Sequence, residues 1–231
     1  MVQCESTPLV LLDSVARGHR YLRVDWLLFP GIIPVVALTM KSTASSTSDD
    51  SIVTPRHPDT LHNFGPASYR DEILFTCERP GGDPPSPDAL IPASTVKEWA
   101  NFMKSKGITD VLILLEDEEL NNYESPGLLE LYKQEGLRAH REPMGKPGVS
   151  TRIKEVIRKV SETKTQQGEM GRVVAHCTHG MGRSGRVAAG WLVMQYGLSP
   201  VQATAEAIAA AQDHGVERMG APAQLETWLA Q

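Results

Sequence analysis

The chain has 231 residues, enough for one good-sized core with an appended segment, and its 41% hydrophobic and 22% charged residues are typical of an ordinary soluble protein. A formal net charge of −5 excludes an overall positive field that would gather nucleic acid or an anionic membrane, so any anion site must be local. Three widely spaced cysteines, Cys4, Cys77 and Cys177, do not fit a disulfide framework or a CxxC metal site and favour free thiols in a reducing compartment.

Residues 1–58 differ in composition from the rest and are predicted to be a leader or tail. A basic stretch precedes the apolar run WLLFPGIIPVVALTM, which is short for a bilayer span and is interrupted by prolines and a glycine, so we expect no membrane span. The segment is read as a targeting peptide, as a tail, or as a gene-model artefact upstream of a translation start at Met40. The expected location is the cytoplasm, with an organelle reached through the leader as the alternative.

From residue 59 onward, strand and helix patterns alternate, which predicts an α/β fold. EILFTC near 72–77 reads as the first strand, and the turn after it is interpreted either as a border of the cleft or as the end of that strand. A helix follows over STVKEWANFMKSKG, with Ser94 as the predicted N-cap and Gly107 closing the helix. DVLILL at 110–115 is the next strand.

The later elements repeat this alternation without an internal repeat. GLLELYKQEG predicts a helix, LRAH a short strand, and STRIKEVIRKVSE a helix whose buried stripe is Ile153, Val156, Ile157 and Val160. RVVAH is the best-defined buried strand. Three further helices are predicted over SGRVAAGWLVMQYG, SPVQATAEAIAAAQDHG and PAQLETWLA.

The candidate chemistry lies in HCTHGMGRSG, residues 176–185, here called the signature loop. A strand that feeds a glycine-containing loop and then a helix start aims several backbone N–H groups and the positive end of the helix dipole at one point, which suits a dianionic phosphate. Gly180 and Gly182 allow tight backbone conformations and a close approach to the ligand. The residues predicted to bind this phosphate are Thr178, His179, Gly180, Met181, Gly182 and Arg183.

Three residues of the signature loop are predicted to be catalytic. Cys177 lies at the base of the cradle, where the same N–H groups favour a thiolate nucleophile. The planar fork of Arg183 grips two phosphoryl oxygens and stabilises the transferring group. The hydroxyl of Ser184 is expected to hydrogen-bond the sulfur when the phospho-enzyme breaks down, whereas His176 is expected to fix the loop geometry.

The signature loop resembles the HCxxGxxRS/T loop of the protein tyrosine phosphatase superfamily, and the helices after it resemble the dual-specificity branch. The stretch ITDVLILLEDEELNNYESPGLLELYKQEGLRAH is similar in layout to the kinase-associated phosphatase type. The resemblance implies a mainly parallel central sheet flanked by helices, with a phosphatase domain over residues 59–231. The implied substrate is a phosphorylated protein, with hydrolysis of phosphotyrosine and, as a wider specificity, of phosphoserine or phosphothreonine. The implied reaction passes through a cysteinyl-phosphate intermediate and uses no metal or cofactor.

One departure from the family concerns the general acid. The family supplies an aspartate from the loop that here reads REPMGKPGVS, and Lys146 stands near the expected place. Because a phenolate needs less protonation than an alkoxide, the loss should favour aryl phosphates. The substitutes are Glu142 and the acidic cluster of Glu116, Asp117, Glu118 and Glu119 at the end of the DVLILL strand, with Asp117 as first candidate. The other interpretation of that cluster is a solvated acidic turn and helix cap.

Two other functions remain open on the sequence. A phosphoinositide or small phosphoester phosphatase would gain from lysines inside the loop, and residues 178–182 contain none. A pseudophosphatase that binds phosphoproteins without turnover fits the missing aspartate but not the intact Cys177 and Arg183. Cys77 is read as a redox partner of Cys177 or as buried packing.

Overall fold

The computed structural model describes residues 60–231 except 85, 87 and 88. The predictions for residues 1–58, including the leader, the apolar run and Met40, lie outside the described residues. Among the residues described, no helix combines the length and the apolar character needed to cross a bilayer.

One five-stranded sheet runs through the described part of the chain, in the order β1-β2-β5-β3-β4. Its strands are β1 (Gly65–Pro66), β2 (Leu74–Glu78), β3 (Ile108–Ile113), β4 (Arg138–Arg141) and β5 (Arg172–Cys177). β1 is antiparallel to β2, and the other three pairings are parallel. The predicted α/β class with a mainly parallel sheet is confirmed.

Helices connect these strands and cover both faces of the sheet. They are α1 (Ala93–Ser105), α2 (Asp117–Leu120), α3 (Leu128–Gln134), α4 (Val149–Gln166), α5 (Gly182–Tyr196), α6 (Pro200–Asp213) and α7 (Pro222–Leu229), and a 3₁₀ turn spans Leu61–Asn63. Successive strand residues point to opposite faces, so Val174 packs with α1 and α3 while Val173 and Ala175 pack with α4 and α5. Both faces of β5 are therefore buried, as in other central parallel strands.

Two sequence predictions about helices need correction or refinement. The predicted N-cap Ser94 is wrong: α1 begins at Ala93 after the extended Pro92, and the Ala93 N–H donates to the Glu124 carboxylate at 3.1 Å. A carboxylate from another segment thus satisfies the helix start, where negative charge is favourable. Gly107, with φ of +75°, follows the end of α1 as predicted. In α4, Val156 is only partly buried, unlike the three other predicted stripe residues.

Candidate active site

The signature loop joins the end of β5 to the start of α5, at the carboxyl edge of the sheet where α/β proteins bind ligands. Gly180 has φ of +74°, and a Cβ there would lie 2.5 Å from the Cys77 carbonyl carbon and 2.6 Å from the Glu78 nitrogen. The loop therefore packs directly on the backbone of β2, and only glycine fits. Gly182 begins α5 and its Cβ position faces open space, so its predicted approach to a ligand stays a prediction.

Cys177 is the last residue of β5 and is 4% exposed. Its Sγ accepts a hydrogen bond from the Ser184 hydroxyl at 3.2 Å, and Ser184 is fully buried. The structure thus brings together the predicted nucleophile and the hydroxyl that was expected to contact its sulfur.

Arg183 is held by a bidentate ion pair with Glu119. Its Nη1 donates to Glu119 Oε2 at 2.6 Å and its Nη2 to Glu119 Oε1 at 2.7 Å. Nη1 also donates to the Leu114 carbonyl at 3.0 Å, and Nη2 also donates to Thr178 Oγ1 at 2.8 Å. Only the Nε–H lacks a partner among the described residues. The guanidinium plane is thereby fixed beside the loop before any ligand binds.

Glu119 belongs to the acidic cluster that was predicted to substitute for the general acid, in which Asp117 was the first candidate. It lies in α2, where its Oε2 also accepts from the Glu116 N–H at 2.9 Å, and the Thr178 hydroxyl donates to its Oε1. Partial burial opposes ionisation, but the hydrogen bonds from Arg183, Thr178 and Glu116 lower the pKa of Glu119 to about 2. The spacing of Glu116 and Glu119, which forms a capping box, is the sequence signal that separates Glu119 from its neighbours.

The predicted substitutes Asp117, Glu118 and Glu142 lie elsewhere. The Asp117 carboxylate is exposed and pairs with Arg141, and Glu142 accepts from Arg152 Nε at 2.8 Å. Glu118 is exposed. In the described structure, none of the three bonds to a residue of the signature loop, and Lys146 is exposed.

His176 is fully buried behind the loop. Its Nε2 lies 3.1 Å from the Tyr132 hydroxyl. Burial first, and then the charges of Arg79 and Arg183, lower the pKa of His176 to about 3. The ring is therefore neutral at physiological pH and does not act as a general acid there.

Two buried arginines beside the loop were not predicted as site residues. Arg79 follows β2, is 2% exposed and donates to the Gly82 carbonyl at 2.8 Å and to the Glu119 carbonyl at 3.1 Å. Arg218 donates to Thr76 Oγ1 at 2.6 Å, and burial lowers its pKa to about 10. With Arg183 they supply the local positive charge that an acidic chain needs for an anion site.

The loop is also tied to the segments around it by Asn63 and Asp83. Asn63, in a positive-φ conformation, donates from Nδ2 to the His179 carbonyl at 3.0 Å and accepts from the Glu217 N–H at 2.9 Å. The ring of His179 contacts Asp83, with Nε2 and Oδ2 2.7 Å apart. The sequence carries no local signal for either contact.

The chain resembles known proteins over the segment that contains this site. Residues 92–204 match the family model described as cyclin-dependent kinase inhibitor 3 (CDKN3). The rat protein of that name is 35% identical over 102 residues, 44% of this chain and 48% of the relative. The human one is 34% identical over 109 residues, 47% and 51% of the two chains. This chain thus spans about half the length of the curated relatives it matches.

One solved structure that resembles this chain is that of kinase associated phosphatase in which serine replaces the catalytic site cysteine. It is 25% identical and covers 67% of this chain and 83% of that protein, with a TM-score of 0.47. The match to the family model includes the whole signature loop, in the strand, loop and helix setting that the resemblance implied. The chain is therefore similar to the CDKN3 family over residues 92–204, the segment that carries the signature loop.

Proposed function

We propose that this protein is a cysteine-dependent protein phosphatase. The observation that carries the proposal is the position of Cys177 Sγ at the base of the signature loop, where Ser184 donates a hydrogen bond to it and Arg183 donates to Thr178, the residue after Cys177. The substrate is a phosphorylated protein, with phosphotyrosine preferred over phosphoserine and phosphothreonine. The preference follows from the loop REPMGKPGVS, which lacks an aspartate to protonate a strongly basic alkoxide.

Phosphate binding uses groups that the site already orients. The N–H groups of the loop and of the first turn of α5 face the phosphoryl oxygens, and the helix dipole favours the negative charge. The Arg183 Nε–H has no hydrogen-bond partner among the described residues and donates to one phosphoryl oxygen. The Nη2–H that now donates to Thr178 Oγ1 donates to a second phosphoryl oxygen instead. Glu119 meanwhile holds the other edge of the guanidinium, so Arg183 meets the phosphate in a fixed plane.

The reaction then runs in two displacements. The Cys177 thiolate attacks phosphorus, the bond from phosphorus to the ester oxygen breaks, and the leaving oxygen takes up a proton. Water next attacks the cysteinyl phosphate, and the bond from phosphorus to sulfur breaks. The Ser184 hydroxyl, 3.2 Å from Sγ, stabilises the departing thiolate in this second step.

The test is hydrolysis of 4-nitrophenyl phosphate without added metal and with a chelator, by the wild type, Cys177→Ser and Cys77→Ser. Cys77 is the matched control because it lies on the neighbouring strand and is fully buried. We expect the Cys177 variant to lose turnover while still binding vanadate, and the Cys77 variant, checked for folding by its melting curve, to stay active. A wild type that binds vanadate but turns nothing over would contradict the proposal and favour a phosphoprotein-binding module.

A further inference from the structure

The site as described lacks an obvious proton donor for the leaving oxygen. Three of the carboxylates that the sequence offered are bonded to cations: Asp117 to Arg141, Glu142 to Arg152, and Glu119 to Arg183. A fourth, Glu118, is exposed and does not bond to the signature loop in the described structure. Glu119 is the one that touches the loop, and with a pKa of about 2 it stays ionised at neutral pH. A carboxylate that is already deprotonated cannot donate the proton.

His179 is an imidazole that the signature loop itself carries. It lies two residues after Cys177, its side chain is 51% exposed, and its Nε2 is 2.7 Å from Asp83 Oδ2. The other ring nitrogen, Nδ1, has no hydrogen-bond partner in the described part of the chain. An imidazole with one nitrogen fixed by a carboxylate and the other without a protein partner is the arrangement of a general acid and base.

Contacts with other segments hold both His179 and Asp83 in place. The His179 carbonyl accepts from Asn63 Nδ2 at 3.0 Å, and the next residue, Gly180, packs on the backbone of β2. Asp83 Oδ1 lies 3.8 Å from Nη2 of the buried Arg79. The imidazole therefore has a supported position at the rim rather than a free surface rotamer.

We propose that His179, oriented by Asp83, is the general acid that protonates the leaving oxygen; the inference rests on the phosphatase function proposed above. In the first step the imidazolium gives its Nδ1 proton to the ester oxygen as the bond to phosphorus breaks, so the alcohol leaves neutral and the imidazole becomes neutral. In the second step the same nitrogen takes a proton from the attacking water, as phosphate forms and the Cys177 thiolate is released.

A general acid is recognised by the dependence of the rate on the leaving group. The variant His179→Gln keeps a hydrogen-bonding side chain beside Asp83 but has no proton to transfer. We compare kcat/KM of the wild type and this variant for 4-nitrophenyl phosphate, whose leaving group is a weak base, and for phenyl phosphate, whose leaving group is a strong base. We expect a loss of about 100-fold on phenyl phosphate and of less than about threefold on the nitrophenyl ester.

Controls separate this role from a structural one. His140→Gln makes the same change in a histidine on β4 that also contacts an aspartate, with Nε2 2.8 Å from Asp110 Oδ1, and should leave the ratio of the two substrates unchanged. Asp83→Asn should show the same dependence on the leaving group with a smaller loss, because Asp83 orients the ring. If His179→Gln fails to fold, the Asp83 variant decides: an unchanged ratio overturns the proposal.

The outcomes also separate this inference from the proposed function. A wild type inactive on both esters removes the phosphatase function and the general acid with it. An active wild type with equal losses on both esters in His179→Gln overturns only the role of His179. A leaving-group effect in Lys146→Ala but not in His179→Gln would likewise overturn it, and would assign the proton to the exposed lysine near the position of the family's aspartate.

Discussion

The ion pair between Glu119 and Arg183 makes a quantitative prediction about stability and pH. The perturbation is Glu119→Gln, which keeps the size and hydrogen-bonding capacity of the side chain but removes its charge. The folded protein lowers the pKa of this carboxyl from 4.5 to about 2. At about 1.4 kcal/mol per unit, this shift corresponds to at most about 3.5 kcal/mol of stability at neutral pH.

That upper limit must be reduced for solvent screening. The Glu119 side chain is 23% exposed and that of Arg183 is 27% exposed. Pairs open to water contribute less than their pKa shifts imply, so we expect Glu119→Gln to cost about 1–2 kcal/mol at pH near 7. This cost should appear in the free energy of unfolding measured with urea.

The direction of the pH dependence follows from the lowered pKa. Because the unfolded chain binds the proton more tightly, the stabilisation is present above pH 4.5 and is lost as the pH falls toward about 2. The difference between the wild type and Glu119→Gln should therefore shrink by about half between about pH 5 and pH 3. Glu118→Gln, an exposed neighbour, is the matched control and should change stability by less than about 0.5 kcal/mol at either pH.

A loss of stability in Glu119→Gln that is the same at both pH values would contradict a carboxylate held ionised by Arg183. A cost no larger than that of Glu118→Gln would refute it too. Either result would mean that the pair with Arg183 does not hold the carboxylate ionised in the folded protein.

Three further variants test how the loop is built. Asn63→Ala removes hydrogen bonds with the His179 carbonyl, the Glu217 carbonyl and the Glu217 N–H, and should lower the free energy of unfolding by about 2–4 kcal/mol. Asn63→Gly, which suits the positive φ, should lower it by nearly as much. A loss below about 1 kcal/mol in both variants would contradict the bridging role of Asn63. Gly180→Ala should abolish vanadate binding, measured by titration, because its Cβ meets the backbone of β2, whereas Gly136→Ala carries the same positive φ in open space and should bind normally. Ser184→Ala should show a burst of nitrophenol followed by slow turnover, and a steady-state rate equal to that of the wild type would contradict its role on sulfur.

The parts of the site that are contiguous in sequence were predictable. The signature loop, the buried strand before it and the helix after it carry strong local patterns, and the structure has β5, the loop and α5 in that order. Cys177 and Ser184 lie seven residues apart and come together because the loop turns back on itself at the start of α5. Local periodicity and glycine placement contain that information.

The partners of the loop were not predictable, because tertiary packing brings them from distant parts of the chain. Glu119 is 64 residues from Arg183, Asp83 is 96 residues from His179, and Asn63 is 116 residues from His179. Which carboxylate of the acidic cluster turns toward Arg183 depends on the short helix α2. The cap of α1 is a similar case, since Glu124 reaches the helix from a segment 31 residues away while Ser94 bears the expected local signal.

The covalent cysteinyl phosphate is tested most directly by trapping that intermediate. Ser184→Ala protein is mixed with 4-nitrophenyl phosphate, denatured within the burst, digested and analysed by mass spectrometry. We expect a phosphoryl group on Cys177. Turnover with no phosphoryl group on Cys177, or with the group on His179 instead, would contradict the mechanism.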